Sequence, residues 1–318
     1  MIWLWILGGL CLLALLILLV GGSYLLFRFA VIRRRRRPSM ADAPAPENDR
    51  SVWAAWRPVI EEGKAWFLAQ GPEQVEITSF DGLKLTGFYL PCSGSKQTVL
   101  CFHGYRSDGW ADFACVLKFY HEQGCNLLVA HQRAHGLSEG KYICFGVKER
   151  FDCREWAGYL AGRFPSHALF LHGLSMGGAT VLMAAGLDLP PQVKGVISDC
   201  GFTSPYDIMK HVAKNLHIPT FPFLPLTRVW IRLIAGFGLK EAGTLEALKK
   251  TRLPVLFIHG TSDDFVPVWM TEKNFEACAS EKHLLLVEGE GAGHALSYLT
   301  DPASCEKAVT EFLQAYDA

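Results

Sequence analysis

Hydrophobic residues along the chain form one long uninterrupted run followed by many short ones. Residues 1–27 contain no charged side chain, and about 20 apolar residues are enough to cross a bilayer as a helix. We therefore predict a transmembrane anchor over residues 1–32. A cleaved signal peptide is the alternative, but the run is too long for one and no basic segment precedes it. The A-x-A site Ala41-Asp42-Ala43 also lies beyond a block of arginines.

The rest of the chain alternates between short apolar runs and longer, helix-like segments. A helix-like segment at 53–69 precedes two alternating runs around Asp81-Gly82, which predict a β-hairpin. Six further short apolar runs predict strands at 98–103, 126–131, 167–172, 193–199, 254–259 and 282–288. Because helix-length segments separate most of them, we predict an α/β fold whose mostly parallel sheet is covered by helices on both faces.

The same pattern divides the chain into segments. Residues 33–50 are basic and then rich in proline and alanine, which indicates a linker, and a folded domain is predicted over 51–318. Within it, residues 202–250 exceed the usual loop length and predict a helical cap insertion. Pro219, Pro222 and Pro225 predict two helical pieces with an extended crossing between them. The large apolar side chains of this cap either roof a pocket or only pack the cap itself.

Charge is distributed unevenly although the totals balance at 31 basic and 31 acidic residues. Arg28 and Arg33 to Arg37 follow the apolar run, and an excess of arginine marks the cytoplasmic end of a span. We therefore predict a cell-membrane protein with its domain in the cytoplasm. Without these six arginines the chain has a mildly negative net charge, which argues against a nucleic-acid-binding surface. Ten cysteines without any C-x-x-C fit free thiols in a reducing compartment.

One candidate nucleophile lies in a glycine-rich stretch between a strand and a helix. Gly173-Leu174-Ser175-Met176-Gly177 must reverse the chain within five residues, which predicts a strained backbone at Ser175. The flanking glycines carry no Cβ to clash, and the start of the helix favours negative charge near the serine. The alternative is a glycine-rich turn that contains an incidental serine.

A serine nucleophile needs a base and an acid, and in this topology they follow it in the order Asp or Glu, then His. The loop after the strand at 254–259 offers Asp263 and Asp264, and the glycine-rich loop after the last strand offers His294. That loop lacks the third glycine of a dinucleotide fingerprint, and the histidines form no metal-binding motif. We therefore expect neither a cofactor nor a metal.

The oxyanion that forms during acyl transfer needs backbone N–H donors. Met176, directly after the candidate nucleophile, offers one. The second is expected from Tyr105, which follows the flexible Gly104 in the loop after the strand at 98–103. An ordinary turn at the end of that strand is the alternative for His103-Gly104.

Several motifs together resemble the α/β-hydrolase superfamily, in particular membrane-anchored bacterial hydrolases grouped with serine aminopeptidase-like and BEM46-like proteins. The motifs are GLSMG, HGYRSDG, QRAHGLSEG, FGVKERFDCREW, SDCGFTSP, FIHGTSDDFVP and GAGHALSY. The resemblance implies Ser175 as nucleophile, Asp263 as acid, His294 as base, and Tyr105 and Met176 as oxyanion donors.

The chain departs from this family at one position. His131 stands where relatives usually have aspartate, and we expect it to support the loop that carries Arg133, His135 and Gly136. Glu149 and Asp152 resemble a family motif that fixes a loop, so we expect no catalytic part for them.

The predicted function is that of a membrane-anchored serine hydrolase. It would cleave an ester, thioester or amide of an apolar acyl group through an acyl-enzyme, and its partners would be a small or lipid-like acyl substrate and the membrane. Acyl transfer by the same residues, or a catalytically silent binding module, are the alternatives.

Overall fold

The computed structural model describes residues 1–33, 54–107 and 109–317. Helix α1 (Ile2–Val31) begins the chain, and an α/β domain follows it. Of the linker predicted at 33–50, only Arg33 is described. The start of the domain predicted at Ser51 also lies outside the described residues.

An eight-stranded sheet forms the centre of the domain in the order β1-β2-β4-β3-β5-β6-β7-β8. Strands β1 and β2 form the hairpin predicted around Asp81-Gly82, and β2 pairs antiparallel with β4. All other neighbours are parallel, which confirms the predicted mostly parallel sheet. The strands are β1 (Glu73–Thr78), β2 (Lys84–Leu90), β3 (Gln97–Phe102), β4 (Asn126–Ala130), β5 (Ala168–Leu174), β6 (Val193–Asp199), β7 (Val255–Gly260) and β8 (Lys282–Val287).

Helices cover both faces of the sheet because the central strands are apolar on both sides. In β3, Val99 and Cys101 pack under one helical layer, while Leu100 and Phe102 pack under the other. The first layer comes from α2 (Arg57–Ala69), α3 (Gly109–Glu122) and α11 (Pro302–Ala315), and the second from α4 (Glu149–Arg163), α5 (Met176–Ala184) and α9 (Trp269–Ala277). The short α10 (Ser297–Thr300) precedes α11.

Between β6 and β7, the predicted cap interval contains α6 (Pro205–Asn215), α7 (Thr220–Trp230), a π-helical turn (Ile231–Ala235) and α8 (Thr244–Leu248). The crossing between the first two helices is shorter than predicted. Pro225 lies inside α7, and regular helical backbone begins at Pro222, just after the non-helical Phe221. Proline is tolerated near a helix start, where few N–H groups have helical acceptors. The two predicted helical pieces are present as α6 and α7, but the extended crossing between them does not include Pro225.

Helix α1 is long and apolar enough to cross a membrane, with a mean hydropathy of 2.8 in a window that is entirely unburied. Its last third behaves differently, because Ser23, Phe27 and Val31 are fully buried against the domain. Thr227 of α7 donates to the Ser23 carbonyl at 3.2 Å, and the Trp230 indole N–H donates to the Ser23 hydroxyl at 3.1 Å. The helix therefore packs on the cap directly, a contact that the sequence did not predict.

Candidate active site

Ser175 sits in the strained backbone conformation that its surroundings predict, with φ 55° and ψ −113° between β5 and α5. The flanking glycines are required by close approach. A Cβ on Gly173 would lie 2.1 Å from the Gly177 carbonyl oxygen, and one on Gly177 would lie 1.8 Å from the Phe102 carbonyl oxygen. No larger residue fits either position, so the chain holds the serine at the carboxyl edge of the sheet.

Three residues from loops after β5, β7 and β8 form a continuous chain of hydrogen bonds. His294 Nε2 lies 2.9 Å from Ser175 Oγ, and His294 Nδ1 lies 2.7 Å from Asp263 Oδ2. A carboxylate only accepts, so Nδ1 carries the proton and Nε2 accepts from the serine hydroxyl. The structure thus brings together the nucleophile, base and acid that the sequence singled out, in the arrangement of a catalytic triad.

Asp263 is buried, yet its pKa is low. Burial by itself would raise that pKa, but hydrogen bonds from His259 and His294 outweigh it and lower the pKa to about 2. The other carboxylate oxygen accepts from the backbone N–H groups of Phe265 at 2.9 Å and Val266 at 2.8 Å. The neighbouring Asp264 is exposed. Of the two aspartates in this loop, Asp263 is therefore the one that contacts His294.

His259 holds Asp263 in place, and although it belongs to the FIHGTSDDFVP motif, no role was predicted for it. Its Nε2 lies 3.2 Å from Asp263 Oδ2 and 2.8 Å from the Val266 carbonyl oxygen, so this nitrogen donates. Its Nδ1 lies 2.6 Å from Thr271 Oγ1. Three partners around a fully buried ring fix the carboxylate that orients His294.

A second buried carboxyl, Asp199, ends β6 close to this group and was also missed. The Ser297 hydroxyl donates to its Oδ1 at 3.2 Å, which ties the end of β6 to the loop that carries His294. Burial raises the pKa of Asp199 to about 6, although His259 and Ser297 oppose that rise. Its place at a strand end in the SDCGF motif was the signal available in the sequence.

The loop expected to complete an oxyanion hole lies beside the serine. A Cβ on Gly104 would be 3.4 Å from Ser175 Cβ, and Tyr105 and Met176 line the same cavity as Ser175. His135 Nε2 accepts from the Arg106 N–H at 3.0 Å, which fixes the loop from behind. Both residues expected to donate therefore line the cavity that opens at the nucleophile.

The residues near β4 that belong to the family-like motifs fix the positions of loops. His131 Nδ1 accepts from the Leu137 N–H at 3.1 Å, within the loop that the sequence assigned to it. Arg133 forms a buried ion pair with Asp152 at 2.6 Å. Glu149 accepts from the N–H groups of Cys144 at 2.7 Å and Gly146 at 2.9 Å. None of these contacts reaches the serine.

A cavity of about 590 Å³ opens at Ser175. This volume falls within the range typical of sites for small ligands. Its walls are mostly apolar, and those from the cap include Ile208, Met209, Phe223 and Leu224. Trp230, another large apolar side chain of the cap, packs on α1 instead of lining the cavity, with its ring 5.3 Å from that of Tyr24.

Among the described residues, Cys200, Asp263 and His294 lie close enough to be considered as metal ligands. A thiol must lose its proton to bind a metal. Burial, helped by Asp199 and Asp263, raises the pKa of Cys200 well above its usual value. The other two side chains are already bonded to each other, so the group fits a metal poorly.

Comparison with known proteins agrees with this architecture. Residues 144–317 match the prolyl oligopeptidase family. The protein YqkD of Bacillus subtilis is 30% identical over 76% of this chain and 80% of its own. The yeast membrane protein YNL320W (Saccharomyces cerevisiae) is 25% identical over 65% of this chain and 68% of its own. The esterase Pf2001 of Pyrococcus furiosus shares the fold, with a TM-score of 0.61 and 24% identity over 78% of this chain and 93% of its own. The chain therefore belongs to the prolyl oligopeptidase family, within the α/β-hydrolase superfamily, and is a serine hydrolase-type enzyme.

Proposed function

We propose that this protein is a membrane-anchored serine hydrolase that cleaves an ester, thioester or amide of an apolar acyl group through an acyl-enzyme. The observation that carries the proposal is the hydrogen-bonded chain from Asp263 through His294 to Ser175, which ends in a mostly apolar cavity. The similarity to a protein named as an esterase supports the ester as the first substrate to test.

The geometry supports a two-step reaction. In the first step Ser175 Oγ attacks the acyl carbonyl carbon while His294 Nε2 takes the hydroxyl proton, and the carboxylate of Asp263 stabilises the imidazolium that forms. The same proton then passes to the leaving group as the bond to it breaks. In the second step water gives a proton to His294, attacks the acyl-enzyme and restores the Ser175 hydroxyl.

The oxyanion formed in each step requires donors beside the serine. The backbone N–H groups of Tyr105 and Met176 are assigned this part because both residues line the cavity at Ser175. The N-terminus of α5, which begins at Met176, adds a favourable dipole.

Two other functions use the same fold. An acyltransferase would replace water by another nucleophile, and a binding module would have no need of the reaction. The hydrogen-bonded chain from Asp263 through His294 to Ser175 favours an active enzyme over a binding module, because a binding module has no need of all three groups.

The proposal includes a span formed by α1 with the hydrolase domain on the cytoplasmic side. Arginines follow the apolar run, which supports that orientation. The buried contacts of Ser23, Phe27 and Val31 support a helix that stays attached to the domain rather than a cleaved signal.

Labelling with a fluorophosphonate tests the proposal directly. The purified full-length protein is expected to react, and Ser175→Ala is expected to remain unlabelled although it is folded. Ser198→Ala is a matched control, since Ser198 is also buried near the sheet edge but is not bonded to a histidine. Failure of the wild-type protein to label, together with no turnover on ester, thioester and peptide panels, would favour the binding module.

A further inference from the structure

The wall of the cavity at Ser175 is formed partly by the N-terminal helix. Leu26, Phe29 and Ala30 line it, and their spacing of three and four residues places them on one face of α1. The nucleophile lies in the same cavity. The helix that anchors the protein is therefore also part of the candidate binding site.

These wall residues lie at the end of the apolar run. Helix α1 has 30 residues and is about 45 Å long, whereas the hydrocarbon core is about 30 Å thick. Arg28 is the first charged residue of the chain and is exposed. We therefore place the end of the hydrocarbon core at that charge, between Leu26 and Phe29. This places one side of the cavity at the boundary between hydrocarbon and headgroups.

Several contacts fix the domain at this depth. The Arg33 guanidinium donates to the carbonyls of Ser138 and Gly136, both at 2.6 Å. The Tyr105 hydroxyl donates to the Ala30 carbonyl at 2.8 Å, which satisfies one of the last carbonyls of the helix. The domain is therefore held rigidly to α1 and does not swing on a tether below the membrane.

The cap elements next to α1 expose large apolar side chains, which are unfavourable in contact with water. Phe221 is 80% exposed and Leu233 is 73% exposed, although both are large apolar residues. They belong to α7 and the π-helical turn, which pack directly on α1. Because α1 continues from these elements into the proposed span, the bilayer surface is the occupant that would cover these two side chains.

We propose that the acyl substrate enters the cavity from the bilayer, beside the C-terminal part of α1, and that the substrate class is a long-chain acyl ester resident in the membrane. This inference rests on the proposed hydrolase function. The chain would slide between Leu26 and Phe29 of α1 and Phe223 of the cap, which brings its carbonyl carbon to Ser175.

A comparison of two ways of presenting one substrate tests this route. Full-length protein is placed in phosphatidylcholine nanodiscs, and p-nitrophenyl palmitate is supplied either in the same discs or in separate discs. Each CH₂ slows escape of the ester from a bilayer about fourfold, so exchange between discs is slow. We expect at least roughly tenfold faster hydrolysis from the same discs. p-Nitrophenyl acetate, which dissolves in water, is expected to show no such difference.

A matched pair of variants tests the wall itself. Leu26→Trp puts a larger side chain into the cavity, whereas Leu25→Trp places it on the 63% exposed neighbouring position. Overfilling is expected to lower the ratio of kcat/KM for decanoate to kcat/KM for acetate about tenfold in Leu26→Trp. The ratio should be unchanged in Leu25→Trp.

The outcomes separate this inference from the function on which it rests. Equal palmitate rates in both arrangements, with acetate still hydrolysed through Ser175, would overturn the bilayer route and leave the hydrolase intact. An unchanged ratio in Leu26→Trp would remove α1 from the acyl site. Absence of hydrolysis of either ester, and of fluorophosphonate labelling, would overturn the proposed function together with this inference.

Discussion

The ring of Phe223 lies against Gly22, where a Cβ built on the glycine would come within 2.8 Å of the Phe223 Cε1 atom. Phe223 belongs to the cap and also lines the cavity at Ser175. One side chain therefore touches the N-terminal helix and the candidate acyl site at once. The position of the helix and the shape of the cavity depend on each other through this contact.

A side chain at position 22 should disturb the cavity. Gly22→Ile is expected to push the Phe223 ring, at a cost typical of overpacking, about 1–3 kcal/mol. The displaced ring would narrow the cavity, and we expect kcat/KM for p-nitrophenyl decanoate to fall about tenfold. Gly21→Ile is the control, because nothing lies within 4 Å of a Cβ at Gly21. Equal kinetics in the two variants would contradict the coupling.

Local patterns were sufficient to predict the sheet and the triad. Alternation predicted the hairpin around Asp81-Gly82, and short apolar runs predicted the other six strands. The strained turn at Ser175 is encoded by Gly173 and Gly177 on either side of it. Because parallel strands end at one edge of a sheet, loops after β7 and β8 had to bring Asp263 and His294 near that serine. Each of these predictions used only patterns among residues a few positions apart, together with the topology of the sheet.

Contacts between distant segments were not predictable in the same way. The hydrogen bond from Trp230 to Ser23 joins residues about 200 positions apart, and neither residue carries a motif. Trp230 is apolar, and that property alone does not distinguish a side chain that roofs the cavity from one that packs on α1. His259 was missed because its bonds to Asp263 and Thr271 depend on how α9 packs, which no local pattern encodes.

Ser175 and His294 should act as one unit. Replacing either by alanine is expected to lower kcat by several orders of magnitude, on the order of 10⁴ to 10⁶. The double variant should lose little more, since the attack needs both groups. Steady-state kinetics on one ester, with labelling to count active sites, measures the loss. Multiplicative effects of the two substitutions would contradict the triad.

The apolar cavity predicts a preference for long acyl groups. Burying each CH₂ is worth about 0.8 kcal/mol, so kcat/KM should rise about fourfold per carbon beyond butyrate until the cavity is full. Phe223→Ala should flatten this rise. Phe221→Ala should not, because Phe221 is 80% exposed and Phe223 lines the cavity. A series of p-nitrophenyl esters measures it, and a best rate on acetate would favour a small polar substrate.

Two buried aspartates should affect stability with opposite dependence on pH. The pKa of Asp199 is raised to about 6, so its stabilising contribution is full below the ordinary value near 3.8 and is lost as pH rises through 6. The pKa of Asp263 is lowered to about 2, so its contribution is full above 3.8 and is lost as pH falls through 2.

Asparagine variants therefore separate the two cases. Asp199→Asn should be more stable than the wild-type protein at pH 7.5, on the order of 3 kcal/mol, and the gain should vanish near pH 4. Asp263→Asn should be less stable at pH 7.5, and that deficit should shrink as pH falls below 4. Denaturant unfolding of the detergent-solubilised chain at each pH measures both. Parallel pH curves for the two variants would show that neither carboxyl titrates as stated.

The proposed orientation of the hydrolase domain rests on the arginines that border α1. Arg28 and Arg33 lie at the end of the apolar run that leads to the domain, and basic residues are retained on the cytoplasmic side. Protease added to intact spheroplasts should therefore leave the domain uncut, while the same protease should digest it after detergent permeabilisation.

The domain should also stay with the membrane after a high-salt wash, because the span is held by apolar burial and salt screens only charge. Changing all six arginines of residues 28–37 to glutamine should weaken the preference for the cytoplasmic side, whereas changing the exposed Lys249, Lys250 and Arg252 to glutamine should not. Digestion of the wild-type domain on intact spheroplasts would place it outside the cytoplasm.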